Sequence, residues 1–374
     1  MIFVPVNFTN ITTLDEKNVT YVGKSTLEIL SLETRTTFYW ILLLICIFAV
    51  VGNVCAIYSI FKRKCKILQK SCIISLALSD IFTAVIYTVN NLDTFSSQYY
   101  TWNLGEFLCH FIPMAQIAGT TASSVAVLII ALDRYQNVIY ALSKRWNPSI
   151  SMCVCYGLIL WIMCAVISLP MFFFHDFFPI VLYDEEELWQ RDSALCVSLK
   201  KWEMSIYYGI ASSVIYWPLF SVFVWFYYNI ARLIWRHRKP ISQPTKSCIS
   251  KKEKCENKKI RSFKVVIFLV IPFVLCRFPY QTMFLFYKLY ESGDSSYVDS
   301  LWNLYFSLTC LNVFNCGLNP FLYTYLHQTI SGLQFAEKLI RKVFCLETVQ
   351  VQNIEKPKLQ TKRVQFVIDE LLQK

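Results

Sequence analysis

Seven blocks of apolar sequence, each long enough to cross a bilayer, limit this chain more than any other feature. They run roughly over Phe38–Phe61, Ser71–Leu92, Phe107–Ile130, Ser151–Phe174, Ser205–Trp235, Ser262–Tyr287 and Val298–Tyr325. A spanning helix needs about 20 largely apolar residues. Of the 374 residues, 55% are hydrophobic and 16% charged, with a mean hydropathy of +0.43. A soluble protein of this size would need more charge to cover its surface. Buried helices of a soluble core rarely come as seven such blocks. Barrel strands would read as about ten residues of alternating polarity, and these runs are longer and continuous. The pattern predicts an all-α membrane protein, a seven-transmembrane helix bundle.

Lys and Arg in short connections mark the cytoplasmic side. "KRKCK" at 62–66 follows the first block, and "WRHRKP" and "KKEKCENKKIR" lie between the fifth and sixth. The link after the second block, "NNLDTFSSQYYTWNLGEF", has neither residue. This predicts a multi-pass plasma-membrane protein with its amino terminus outside and its carboxyl terminus inside. The net charge of +11 is largely this inside bias and does not indicate a nucleic-acid partner. Asn7, Asn10 and Asn18 each head an N-x-Ser/Thr triplet in the outer tail and are candidate glycosylation sites. The start is short and not basic, so no signal peptide is expected, and the first span acts as its own insertion signal. The expected organisation is a glycosylated tail over 1–37, the bundle over 38–327, a short amphipathic cytoplasmic helix over 328–345 and a cytoplasmic tail over 346–374.

Most of the fifteen cysteines fall within the blocks or on the cytoplasmic side, where thiols stay reduced. Cys109 and Cys196 stand out in the outer loops. A disulfide between them would tie the long loop after block four to the bundle's outer mouth. Cys345, on a juxtamembrane amphipathic segment, is a candidate for palmitoylation; an unmodified thiol is the alternative.

Sequence motifs recur block by block. Block one carries Asn53 in "VVGNVCAIYSI", and block two carries Asp80 in "SLALSDIF". Block three ends "ALDRYQNVIYAL", with Asp133, Arg134 and Tyr135. Block four has Trp161 and Pro170, and block five has Pro218. Block seven ends "NCGLNPFLYTYL", with Asn319, Pro320 and Tyr323. "WNLGEFLC" pairs Trp102 with Cys109. This ordered set resembles the rhodopsin-like G-protein-coupled receptors over about Phe38 to Cys345. The resemblance implies a ligand site open to the outside and a sixth helix that swings out to admit a heterotrimeric G protein. In that frame Asp133 holds Arg134 at rest, and Pro218, Pro279 and Pro320 kink helices that pivot. It also implies a polar cluster of Asp80, Ser123, Asn315 and Asn319 able to hold a sodium ion; a protonated Asp80 bonded to Asn53 is the alternative.

No acid lies between Cys109 and Asp133. Amine receptors of the family carry one there, at the position matching Gln116. Gln at that place resembles neuropeptide receptors of the neuropeptide Y, neuropeptide FF, RYamide and orexin group. Helical phase adds Tyr280, Gln281 and Phe284 from block six, and Tyr305 and Thr309 from block seven, as pocket candidates. Together they suit an amidated peptide end. The acidic run Asp184, Glu185, Glu186 and Glu187 is read as a steering patch for a basic peptide, or else as a solvated loop. A non-peptide ligand, a weakly signalling receptor and, more remotely, a multi-span transporter are the other readings. A transporter would call for internal repeats or broken helices, and the chain has none that can be read.

The chain also departs from the family. "CRFP" puts Arg277 between Cys276 and Phe278, where the family has tryptophan. Phe226 stands where an activation tyrosine is usual, and Ser124 replaces a branched residue beside Pro218 and Phe273. A charge at a span's centre costs roughly 2.5–3.5 kcal/mol on insertion scales. Arg277 must therefore face the bundle. Asp80 is the only acid deep in any block, so the guanidinium is expected to reach it and displace the sodium ion. The rival is an Arg277 that points outward to an acidic ligand group. Nothing suggests an enzyme, a metal motif or another cofactor; the four His are scattered. Arrestin contact through the Ser- and Thr-poor tail is expected to be weak, with "ISQPTKSCIS" as the alternative site. Membrane lipid is the remaining partner.

Overall fold

The computed structural model describes residues 20–23, 27–28, 30–62, 67–139, 148–184, 189–198, 200–211, 272–289 and 298–323, with isolated positions between 213 and 232. The chain divides into Met1–Leu326 and His327–Lys374, and the second unit lies outside the described residues. So do Asn7, Asn10, Asn18, Glu185, Glu186, Glu187, Pro218, Phe226 and Cys345, and the side chains of Arg134, Tyr135, Asp184, Phe284 and Tyr323.

Helices α1 (Leu32–Lys62), α2 (Ile67–Ser96), α3 (Glu106–Ile139) and α4 (Ile150–Ser168) come first. Stretches Leu32–Lys62, Ile67–Ser96, Glu106–Asp133 and Ile150–Phe174 are long and apolar enough to cross a membrane. Helix α1 starts six residues before the first apolar block. Ser31 explains the early start, because its hydroxyl accepts the Thr34 N–H at 3.4 Å and caps the new helix. A short α5 (Pro170–Phe174), α6 (Lys201–Ala211), α7 (Phe278–Leu289) and α8 (Val298–Tyr323) follow.

Small side chains decide which helix is central. In α3, 78% of the most apolar window is buried, against 11% for the fourth span. Ala115, Ala118, Gly119, Ala122, Ser123 and Ala126 line α3 and are buried. Such residues let neighbouring backbones approach closely. A Cβ on Gly119 would lie 2.6 Å from Thr83 Oγ1 and 2.9 Å from Phe82 Cδ1. Helix α4 instead turns Ile159, Ile162, Met163 and Val166 outward, as a lipid-facing helix must.

Helix α7 begins abnormally. Phe273–Arg277 forms a π-turn, and the Phe278 N–H bonds the Phe273 carbonyl. Pro279 supplies the reason: it has no N–H for the carbonyl four residues back, and its ring would crowd that carbonyl. A widened turn relieves the crowding.

The all-α expectation needs one correction. One end of the bundle carries a three-stranded sheet. Strands β2 (Asp176–Asp184) and β3 (Trp189–Val197) pair antiparallel, and β1 (Thr20–Gly23) joins β2 in parallel. Alternating apolar residues explain it: Ile180, Leu182, Leu195 and Val197 are buried, with Val22 from β1. They share a core with Leu27, Leu30, Tyr100, Trp302 and Tyr305. Thr20–Gly23, from the segment ahead of the first helix, is thus part of the sheet. The link between α2 and α3 completes the brace. Tyr100 N–H bonds the Leu27 carbonyl at 2.7 Å, and Trp102 N–H bonds the Ala194 carbonyl at 2.7 Å. Trp102 Nε1 also donates to the Gly105 carbonyl at 2.7 Å, where Gly105 takes φ 86°, a conformation other residues rarely adopt.

Candidate functional site

Two layers of buried polar side chains lie along the bundle axis. The inner layer centres on Asp80 and Arg277, both almost fully enclosed at 0% and 1% exposure. The Arg277 Nη2 lies 3.4 Å from Asp80 Oδ1. It also donates to Ser123 Oγ at 2.9 Å and Cys316 Sγ at 3.4 Å. Nη1 donates to the Thr120 carbonyl at 3.1 Å and Ser124 Oγ at 3.2 Å. Ser123 Oγ donates to Asp80 Oδ1 at 2.5 Å, and Asn319 Nδ2 donates to Oδ2 at 2.8 Å. Asn53 Nδ2 donates to the Ala49 and Cys316 carbonyls at 2.9 and 3.0 Å. The network therefore joins α1, α2, α3, the π-turn and α8.

The guanidinium points inward to the carboxylate, not outward. Ser123 and Asn319 both donate to Asp80. Asn315 is buried, but its Oδ1 has no hydrogen-bond partner among the described residues. The sequence did not single out Cys316 or the Thr120 carbonyl. Helical spacing offered a signal, since Cys316 lies three residues before Asn319 and Thr120 four before Ser124. The oxygen set around Asp80 is already engaged by a fixed cation.

The outer layer, toward the sheet, is neutral. Gln116, Tyr280, Gln281, Tyr305 and Thr309 are all buried. Tyr280 and Tyr305 rings lie 6.3 Å apart, and Thr309 Oγ1 donates to the Tyr305 carbonyl at 2.9 Å. Tyr87, which the sequence did not single out, links the two sides. Its ring meets Tyr280 edge-on at 5.6 Å, and its hydroxyl lies 3.5 Å from Thr120 Oγ1, one turn from Gln116. Buried Gln281 Nε2 has no hydrogen-bond partner among the described residues. Above this layer Cys109 and Cys196 are disulfide-bonded, with Cα atoms 5.6 Å apart. Tyr100 OH donates to the Cys196 carbonyl at 3.1 Å. His175, just past α5, is buried with Nδ1 3.1 Å from the Met171 carbonyl. Burial pushes its imidazole down from the ordinary 6.5 to about 4.

At the far end, Asp133 is half-buried on α3, with Arg134 and Tyr135 continuing the helix. Pro320 lies inside α8, and Pro279 follows the π-turn. Phe273, in that turn, packs with Ile73, Leu76, Val127 and Ile130.

The family described as "7 transmembrane receptor (rhodopsin family)" matches residues 52–323. The RYamide receptor of Drosophila melanogaster is 24% identical over 324 residues, covering 83% of this chain and 66% of that protein. The Substance-K receptor of Canis lupus familiaris is 23% identical over 357 residues, covering 94% and 87%. The Octopamine receptor beta-2R of Drosophila melanogaster is 26% identical over 353 residues, covering 82% and 61%. This chain thus spans about two thirds or less of the length of two of these relatives. A match from the first span to the end of α8, over a core joined across its helices, makes the chain a multi-pass membrane protein of the rhodopsin family of seven-transmembrane, G-protein-coupled receptors, a family of signalling proteins and not of enzymes.

Proposed function

We propose that the chain binds an extracellular peptide by a neutral, amide-like end and activates a heterotrimeric G protein. One observation carries the reading: the outer layer holds amides, hydroxyls and aromatic rings, and α3 offers no acid between Cys109 and Asp133. An ammonium buried there would lack a counter-charge, which is costly. Amides and tyrosine hydroxyls can instead exchange hydrogen bonds with a carboxamide. The relatives named for RYamide and substance K agree with a peptide. The relative named for octopamine favours a second reading, a small non-peptide ligand.

In the peptide reading the sheet end faces outward, with the amino terminus, and seven spans complete the bundle. Glycans sit on Asn7, Asn10 and Asn18. A cytoplasmic amphipathic helix over 328–345 lies on lipid, anchored by a palmitoyl group on Cys345. Asp184, Glu185, Glu186 and Glu187 steer a basic peptide to the mouth. Phe284 adds to the pocket wall. Asp133, Arg134, Tyr135, Pro218, Pro320 and Tyr323 serve the switch and G-protein contact, and arrestin binds the inner face. The test is a screen of amidated and free-acid peptides, and of biogenic amines, on cells expressing the chain. G-protein activation and calcium are the readouts. An amidated peptide that activates while its free acid does not supports the reading. Activation by an amine alone overturns it.

A further inference from the structure

We infer that Arg277 is the permanent counter-ion of the polar core, so that the folded receptor is indifferent to sodium. The inference rests on the inner layer and is independent of which ligand fills the outer one.

Asp80, Ser123 and Asn319 offer a carboxylate, a hydroxyl and an amide at one point on three helices. Oxygen donors of this kind suit a hard cation. In this chain the cation is covalently attached. Asp80 Oδ1 accepts a hydrogen bond from the Ser123 hydroxyl and faces Arg277 Nη2. Ser123 Oγ in turn accepts from that same Nη2. The hydroxyl is thus used as donor and as acceptor. On the other nitrogen, Nη1 takes up the Thr120 carbonyl and Ser124 Oγ. Ser124, where the family has a branched side chain, supplies an acceptor that only a donor-rich neighbour needs.

Charge settles the matter further. One carboxylate and one guanidinium sum to zero within an enclosed space. A sodium ion added beside them would leave a net buried positive charge, held close to another cation with little solvent screening. The guanidinium cannot yield by losing its proton. Nor is there slack for it to withdraw, since Arg277 is the bulkiest of the fully buried side chains among the described residues. Arginine fits here better than lysine would, because its flat fork reaches a carboxylate, two hydroxyls, a carbonyl and a thiol at once.

The experiment uses the full-length receptor purified into lipid nanodiscs. Its unfolding temperature is measured in sodium chloride and in choline chloride of equal ionic strength, with no ligand added. The parent is expected to show no shift between the two salts. Arg277→Trp and Arg277→Gln free the carboxylate, and their unfolding temperatures should rise with sodium concentration, as mass action requires of an ion that binds the folded state. A sodium-dependent rise in the parent overturns the inference, and that arm decides alone if the variants do not fold. Variants that fold yet ignore sodium also overturn it, because the cluster would then hold no metal with or without the guanidinium.

Discussion

The polar core and the sheet end both bury many polar groups, yet they are held in opposite ways. In the core, side chains from four elements meet around two opposite charges. At the sheet end the ties are a disulfide, backbone pairing and aromatic packing, and the buried histidine is neutral. The core therefore has one cooperative point of failure, whereas the sheet end has several parallel supports. The contrast fits the environment. A membrane helix inserts with its own backbone satisfied, so what distinguishes one packing from another is side-chain contact. A loop has no such guarantee and needs strands or a covalent link.

Breaking the core should have the largest effect. Removing one member of a buried pair strands a charge at about 3–5 kcal/mol. Arg277→Ala or Asp80→Ala alone should sharply lower surface expression and unfolding temperature. The double variant should recover part of the loss, and no recovery would mean the two act separately. Cys196→Ser ranks next. Losing a native disulfide costs about 2–5 kcal/mol in small secreted domains; here β2–β3 pairing and Tyr100 persist, so the loss should fall at the low end. It should be read in unfolding temperature with insertion unchanged. Thiol labelling of Cys109 or Cys196 in the parent at the cell surface would contradict the bridge.

Gly119→Ala tests packing between α2 and α3. Thr83 cannot yield easily, because its hydroxyl is bonded to the Ser79 carbonyl at 2.7 Å. Overpacking of this kind costs about 1–3 kcal/mol. Gly317→Ala meets the Phe48 ring at 2.5 Å and the Ala49 backbone less tightly at 3.3 Å; the ring, stacked on Phe314 and Phe321, is exposed on its lipid side, so the unfolding temperature of this variant should fall less. Equal losses would refute the distinction. The smallest effect should be acid sensitivity at the sheet end. Unfolded His175 takes up a proton near pH 6.5, while the folded imidazole does so only near 4. The unfolded state thus binds more protons between those values, and stability falls as pH drops through the window. Above it His175 has no influence. His175→Gln should flatten the pH dependence of unfolding between about 7 and 5.

The apolar blocks were easy to read because length and hydropathy alone decide insertion, and α1 to α4 lie where those blocks do. The Arg277–Asp80 pair was legible for a related reason. A lone cation in an apolar stretch must find an anion, and only one was within reach. The sheet was harder to see. Ile180, Leu182, Leu195 and Val197 alternate, but β1 pairs through Thr20–Gly23, whose neighbours 160 residues away cannot be inferred from a four-residue run. Cys316 and Tyr87 were missed because thiols and tyrosines are common in membrane helices, and only the structure shows what they face. The early start of α1 was hidden because its first turn is polar and lies outside the apolar block.

The π-turn at Phe273–Arg277 has one more consequence. A helix with one residue too many contains the equivalent of a stacking fault in a crystal. Such a fault can migrate along the rod while the number of backbone hydrogen bonds stays nearly constant. A one-residue step rotates the side chains it passes by about 100°, enough to carry the Arg277 guanidinium off the carboxylate. The ion pair is thus also a pinning site that fixes where the fault rests. In Arg277→Gln Pro279 alone holds the fault, and the amides of Val274 to Phe278 should exchange with solvent deuterium faster than in the parent while those of α8 do not.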